Sequence, residues 1–344
     1  MYDKILGSLL AAACGDAMGA ATENLTTEGI IKQFGGLVST FIKPPPTAFA
    51  FGSEAGQITD DFSIIYMLAK NIVEKNEVTE QIVQETLLEW SEYPQYFDRF
   101  AGPSTRAAIL AMKGQVEPVN NTVVDYAAKA TNGAAMKISP AGLINPGDLD
   151  QAIEDAITIT RVTHNNHLAI SGACAVACAV SQALTDDANL YRVIQAGFYG
   201  ARRGETRGKE VAHIVGGASV EKRMDLAVSI AQGSGDFEAK MTKLANLVGS
   251  GLHISEAVPA AFGLLLAANG DAMQSVFGGV NIGYDTDTVA TITGSIAGAL
   301  EGAQAISDGE NYLKIINEAN NIDIEPLANA LEQMAISRRK GKVQ

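Results

Sequence analysis

The stretch from Asp3 to Met18, DKILGSLLAAACGDAM, decides the fold class. Ile5, Leu9 and the pair Ala12-Ala13 fall on one face at helical spacing, and nothing in it alternates as a strand would. The same period recurs along most of the chain. Helices are expected over 3–18, 26–34, 62–75, 79–91, 104–113, 121–131, 149–161, 165–184, 189–201, 219–231, 236–247, 254–268, 271–277, 288–305, 311–319 and 325–336. Thr26 or Thr27 opens the second of these and Gly35-Gly36 closes it. No strand ladder, no repeat of 20–50 residues and no interdomain linker is legible. The expected fold is all-α, one domain over 1–344, a compact orthogonal multi-helix bundle.

Composition narrows the function classes. The 344 residues are 47% apolar and 19% charged, enough for a sizeable core, and the low aromatic share of 6% beside abundant Gly and Ala favours close helix packing. A net charge of −14 argues against stable nucleic-acid binding and sets a difficulty for any phosphorylated substrate. Cys14, Cys174 and Cys178 fit a reducing compartment, the latter two as small core residues one helical turn apart. Ile5 to Cys14 resembles a secretory h-region only superficially, because Asp3 precedes it and Gly15-Asp16 continues the helix. No apolar run approaches membrane-spanning length. A cytoplasmic protein without membrane contact is expected.

Two acidic clusters carry the chemistry: Thr59-Asp60-Asp61 and Asp285-Thr286-Asp287-Thr288. Each precedes a largely apolar helical run, so each is expected at a helix N-terminus. Helix capping alone is the plain reading. Two such similar clusters of carboxylate and hydroxyl oxygen, with no Cys or His beside them, also suit hard divalent cations. Brought together they would form a two-metal site that activates water. Residues 37–58, with Pro44-Pro45-Pro46, form a long irregular segment leading into the first cluster.

The order and spacing of several further pieces resemble the ADP-ribosylglycohydrolase family, which includes dinitrogenase-reductase-activating glycohydrolases and ADP-ribosylhydrolases. Those pieces are Gly15-Asp16-Ala17-Met18-Gly19 with Glu23, Thr59-Asp60-Asp61, Ser104-Thr105-Arg106 and Asn132-Gly133-Ala134-Ala135-Met136. Thr163-His164, Ser255 to Ala261 and Asp285-Thr286-Asp287-Thr288 complete the set. The resemblance implies an all-α bundle around a dinuclear magnesium centre, Mn²⁺ being the alternative. It implies hydrolysis of an N- or O-glycosidic bond at C1 of ADP-ribose, in an ADP-ribosylated protein or small molecule. Thr59, Asp60, Asp61, Asp285, Asp287 and Thr288 would be ligands, with Glu23 acting on water or gating the site. Asn132, Gly133, Ala134 and Ala135 would wrap the diphosphate-ribose, and His164 would contact phosphate. The proton-handling group is Glu23 or Asp60.

Departures from the family pattern fall on substrate-facing positions. Phe62 stands where Thr or Ser is usual, with Ser63 next to it; Tyr284 replaces a Gly; Ala128-Lys129-Ala130-Thr131 replaces a Gly-Ser-Tyr-Gly lead; and Phe97 to Pro103 intervenes where nitrogenase-type members carry an Asp shortly before the Thr-Arg motif, so that Asp98 is not assigned that role. Competing expectations are a hydrolase of another N-riboside and a non-catalytic structural homologue of the lens-protein kind. Retention of all six ligand-type residues counts against the inert reading, since like charges held together need a compensating cation. Arg202, Arg203, Arg207 and Lys209 read as a solvated face or as guides for an anionic substrate, and Arg338 to Lys342 as a solvated tail.

Overall fold

The structure is a computed structural model that describes residues 1–115 and 125–341. Among these residues there are seventeen α-helices and no strand. In chain order the first nine are α1 Tyr2–Gly19, α2 Thr27–Phe34, α3 Asp60–Lys75, α4 Glu80–Trp90, α5 Pro94–Phe100, α6 Pro103–Met112, α7 Ser139–Leu143, α8 Leu149–Arg161 and α9 His167–Ala183. The rest are α10 Leu190–Val211, α11 Val220–Gln232, α12 Phe237–Leu247, α13 Ile254–Ala267, α14 Ala272–Asn281, α15 Thr286–Glu301, α16 Gly309–Asn320 and α17 Ile324–Gly341. Short 3₁₀ turns occupy Asn132–Ala134 and Ala303–Ala305. One contiguous apolar core runs from Ile5 to Met334.

The centre is the pair α1 and α15. Small residues on both let their backbones meet: a Cβ added at Gly298 would lie 2.1 Å from the Gly7 carbonyl oxygen, and one at Gly294 would lie 2.4 Å from that of Ala11. Such contact buries apolar surface with almost no side-chain entropy to lose. At the other end of α1, a Cβ on Gly19 would sit 2.4 Å from the Cα of Asp287. The first helix therefore carries the start of α15 directly.

Most expected helices form, and the differences have local causes. For the helix expected over 121–131, residues 121–124 lie outside the described residues, and 125–131 are bends and turns ending in a bridge from Thr131 to His253. The helix expected to end at 201 runs on to Val211, because Gly204 and Gly208 let it pack on Cys174 and His167 of α9. Short α5 and α7, each with proline in its first turn, went unread because five to seven residues carry too little period. The expected solvated tail is corrected at Arg338: α17 continues to Gly341, and Arg338 bonds Asp155 at 2.6 Å and Asn145 at 3.0 Å, while Arg339 and Lys340 are exposed and Lys342 lies outside the described residues. Among the described residues no helix is long and apolar enough to cross a membrane.

Gly298→Ala should lower stability by about 1–3 kcal/mol, because the methyl meets backbone that cannot move aside alone. Gly36→Ala, whose Cβ would meet nothing within 4 Å, should change stability by less than about 0.5 kcal/mol. Urea unfolding followed by circular dichroism distinguishes the two.

Candidate active site

Thr59 caps α3 and Asp285 stands at the N-cap of α15, so both acidic clusters sit at helix N-termini as the sequence pattern requires. What brings them together is α1. The buried Asp16 carboxylate accepts from the Thr59 N–H (2.9 Å), the Thr59 hydroxyl (2.7 Å) and the Phe62 N–H (2.9 Å). It thus holds the first turn of α3. One turn further, the Thr286 hydroxyl donates to the Gly19 carbonyl (2.9 Å) and meets Thr22 Oγ1 (3.0 Å), fixing the start of α15 on the same helix.

The result is a cleft of about 230 Å³. Glu23, Asp60, Asp61, Asn132, Gly133, His164, Asp285, Asp287 and Thr288 all line it. The remaining sequence candidates stand behind the wall: Thr59 gives its hydroxyl hydrogen to Asp16, and Ala134 and Ala135 are buried beneath the 132–134 turn. Asn132 donates to Asp285 at 2.6 Å, tying the turn to the second cluster. His164 presents both ring nitrogens to threonines, Nε2 to Thr131 (2.8 Å) and Nδ1 to Thr163 (2.7 Å). A contact from His164 to a ligand would therefore displace Thr131. Burial holds its imidazole well below the usual pKa, so it works as a neutral group.

Several other sequence candidates fall elsewhere. Ser63 does not stand in for the Thr or Ser missing at Phe62; its hydroxyl accepts from the Trp90 indole at 2.9 Å, in a separate cavity. Asp98 is not part of the cleft wall. Arg207 pairs with Glu154 at 3.0 Å and Lys209 with Glu205 at 2.6 Å, a solvated face. Tyr284 adopts a left-handed φ of 66°, where its ring rests against Gly251 and its backbone exchanges hydrogen bonds with Asn24 and Leu25. That conformation explains why a glycine suits the position.

The sequence reading missed Phe49 and Phe100, which line the cleft mouth with ring centroids 6.0 Å apart at 62°. Arg99 fastens this edge, donating to the carbonyls of Ala50 (3.2 Å) and Phe51 (3.0 Å) while its guanidinium lies 4.8 Å over the Phe100 ring. The proline-rich segment gave the only hint, as a long irregular stretch leading into the first cluster.

The electrostatics are severe. Burial first, and then mutual repulsion, raises Asp60, Asp61 and Asp287 well above the usual carboxylate range. Asp285 also rises, through burial, and Glu23 is pushed to about 7 by burial, Asp285 and Asp16. None of these five carboxylates has an ion-pair partner among the described residues. Among the described residues no three acidic, His or Cys side chains stand ready as an ion cage. The oxygens turn to neighbours instead, Asp285 to Asn132 and Asp287 to the Thr288 N–H at 2.9 Å. Asp61 Oδ2, however, is buried with no partner. An orphaned carboxylate oxygen in an all-oxygen, uncompensated cluster fits hard divalent cations after rotation of these side chains.

Comparisons with known proteins bear on the family and the fold. The ADP-ribosylglycohydrolase family model matches residues 1–341. The chain is 30% identical over 338 residues to the uncharacterized protein YegU of Escherichia coli (strain K12), covering 96% of each. It is 25% identical over 315 residues to the ADP-ribosyl-[dinitrogen reductase] glycohydrolase of Rhodospirillum rubrum, covering 90% of this chain and 89% of that one. A solved structure titled ADP-ribosylglycohydrolase-related protein complex superposes with a TM-score of 0.65 at 21% identity, over 97% of this chain and 98% of that one.

A carboxyl that titrates higher in the folded than in the unfolded chain binds extra protons when folded. Its contribution to stability is full below about pH 4 and is lost as pH rises through its folded value. With Asp16 raised to about 6 and Glu23 to about 7, the Tm of chelator-treated protein should fall between pH 5 and pH 7.5. Saturating Mg²⁺ should flatten that fall. Asp61→Asn should raise the Tm in EDTA while removing the Mg²⁺-induced shift; thermal melts with and without the ion decide both.

Proposed function

Because the chain belongs to the ADP-ribosylglycohydrolase family, we propose that it hydrolyses the glycosidic bond at C1 of an ADP-ribosyl conjugate. The carrying observation is the convergence of the two acidic clusters in one buried cleft beside Glu23. Asp60, Asp61, Asp285, Asp287 and Thr288, with Thr59 behind them, would hold two Mg²⁺ or Mn²⁺ ions. Bound there, such ions supply charge that lowers the pKa of water and orients ribose hydroxyls.

The residues supply the rest. Cleavage of a riboside develops positive charge at C1, and carboxylates fixed around the cleft favour it over the neutral ground state. Glu23, poised near neutrality, is half protonated at physiological pH and can take a proton from water or give one to the leaving group. Asp60, held well above the usual carboxylate range by burial and then by Asp16, is the alternative proton carrier. Gly133 and Asn132 form the wall against which the ribose and its substituent would lie, and Asn132 keeps Asp285 oriented. Phe49 and Phe100 narrow the mouth and offer ring faces to a planar group.

A second reading rests on size and charge. The cleft's 230 Å³ falls below the roughly 300–1,000 Å³ usual for sites enclosing drug-sized ligands, and among the described residues no Lys or Arg lines it. Both features favour a smaller, uncharged N-riboside.

The test is release of ribosyl product from ADP-ribosylated arginine and serine peptides and from nucleosides, with Mg²⁺ and with EDTA. Metal-dependent release of ADP-ribose supports the first reading, and release of ribose from nucleosides alone supports the second. Metal binding without turnover of any of them would reject hydrolysis of these conjugates. Asp287→Asn should lower kcat by about 100-fold or more. Phe49→Ala should raise KM about 3- to 10-fold with kcat nearly unchanged, as loss of one ring contact predicts.

A further inference from the structure

With no lysine or arginine along the cleft wall among the described residues, an anionic part of a substrate has to be met there by neutral donors. The start of α6 supplies them. Gly102, Pro103, Ser104 and Thr105 all line the cleft, directly after Phe100 at its mouth. No side chain caps this ten-residue helix at its Gly102 N-cap, and its first turn carries no acidic residue. The helix starts of α3 and α15 in the same cleft hold Asp60, Asp61 and Asp287 there. Pro103 has no N–H, and the backbone ladder begins with Arg106 donating to the Gly102 carbonyl at 2.9 Å. The N–H groups of Ser104 and Thr105 therefore have no acceptor among the described residues.

A bare helix start alone is common; the side chains on this one are not. Ser104 is 6% exposed and Thr105 2%, yet neither hydroxyl has a hydrogen-bond partner among the described residues. Neither is sealed from solvent, and since both residues line the cleft, the space they open on is the cleft. Buried hydroxyls normally find partners, so a pair left open beside two free N–H groups is a set of four donors awaiting an acceptor. Arg106 is not available to the same ligand: its guanidinium donates to the Phe97 and Asp98 carbonyls and lies 4.6 Å over the Phe97 ring. We propose that the first turn of α6 is an anion subsite, in which Ser104 and Thr105 donate hydroxyl and backbone hydrogens to phosphate oxygens of the substrate. The partial positive charge of the helix start favours the same group. Resting on the reading of the chain as a hydrolase of ADP-ribosyl conjugates, this subsite deepens it: Ser104 and Thr105 select a phosphorylated riboside over an uncharged one.

The experiment is calorimetric titration with ADP-ribose at saturating MgCl₂, on wild type and two double variants. Ser104→Ala with Thr105→Val removes both hydroxyls and keeps the buried shape at Thr105; Ser104→Thr with Thr105→Ser keeps both hydroxyls and alters the shape. The first pair should bind ADP-ribose about tenfold or more weakly, as loss of hydrogen bonds to a charged group predicts, and the second should stay within about threefold of wild type. Equal losses in the two pairs would overturn the proposal, because shape and not the hydroxyls then matters. Unchanged affinity in the first pair overturns it as well and leaves the hydrolase reading standing. Failure of the wild type to bind ADP-ribose rejects the subsite and the ADP-ribosyl reading together, so the two failures are told apart. Where adenosine binds, the first pair should hold it within about twofold of wild type, and a loss equal to that for ADP-ribose overturns the assignment to phosphate. If the first pair does not fold, Ser104→Ala alone carries the test, with about a threefold loss expected and no loss overturning the subsite.

Discussion

The buried carboxylate of Asp16 is the constraint from which the rest of the site follows. It sits in the last turn of the first helix with three donors converging on it, the backbone N–H groups of Thr59 and Phe62 and the Thr59 hydroxyl. Those bonds do for α3 what a capping side chain normally does locally, but from a residue 43 positions away. Since α1 also lies against α15 with no side chain between Gly19 and Asp287, one rigid helix sets both clusters. The glycines that permit this approach and the carboxylate that uses it lie within one five-residue stretch, Gly15 to Gly19.

That rigidity has an electrostatic consequence. A flexible surface would let like charges separate into water; here Asp60, Asp61, Asp285 and Asp287 are each no more than 9% exposed and are held by helix starts that cannot splay apart. Helix N-termini relieve part of the repulsion, since their free N–H groups carry partial positive charge. The relief is incomplete: burial keeps Asp61 and Asp285 above the usual carboxylate range even though both hydrogen-bond to Thr288. A fold that keeps such a cluster at the expense of its own stability is spending it on something other than folding.

Much of this was legible in the chain. Helical period and cap residues placed Thr26, Gly35 and Thr59 correctly, because those signals act within four residues. Signals acting at longer range were the ones misread. The glycines of α10 argue locally against a helix, and only packing on α9 reverses that preference. The basic end of α17 reads as solvated until Asp155 appears beside Arg338. At the site, the acidic clusters were recognisable as chemistry, whereas Phe49 and Phe100 were not. An aromatic in a proline-rich loop acquires meaning only from what folding sets against it.

Charge links the two sides of any reaction in this cleft. A substrate carrying a diphosphate would approach five lining carboxylates with, among the described residues, no lysine or arginine at the wall to receive it. At the separations of a small cleft, each uncompensated pair is worth on the order of a few kcal/mol at an effective dielectric near 20. Backbone N–H groups and one neutral histidine are weak answers to that field. Divalent cations that neutralise the carboxylates would also remove the barrier to the anion, so ion and substrate would bind with positive linkage. An uncharged riboside would gain far less from the ions in binding and would depend on them only for the chemical step. The dependence of KM on metal concentration is therefore itself a statement about the charge of the substrate.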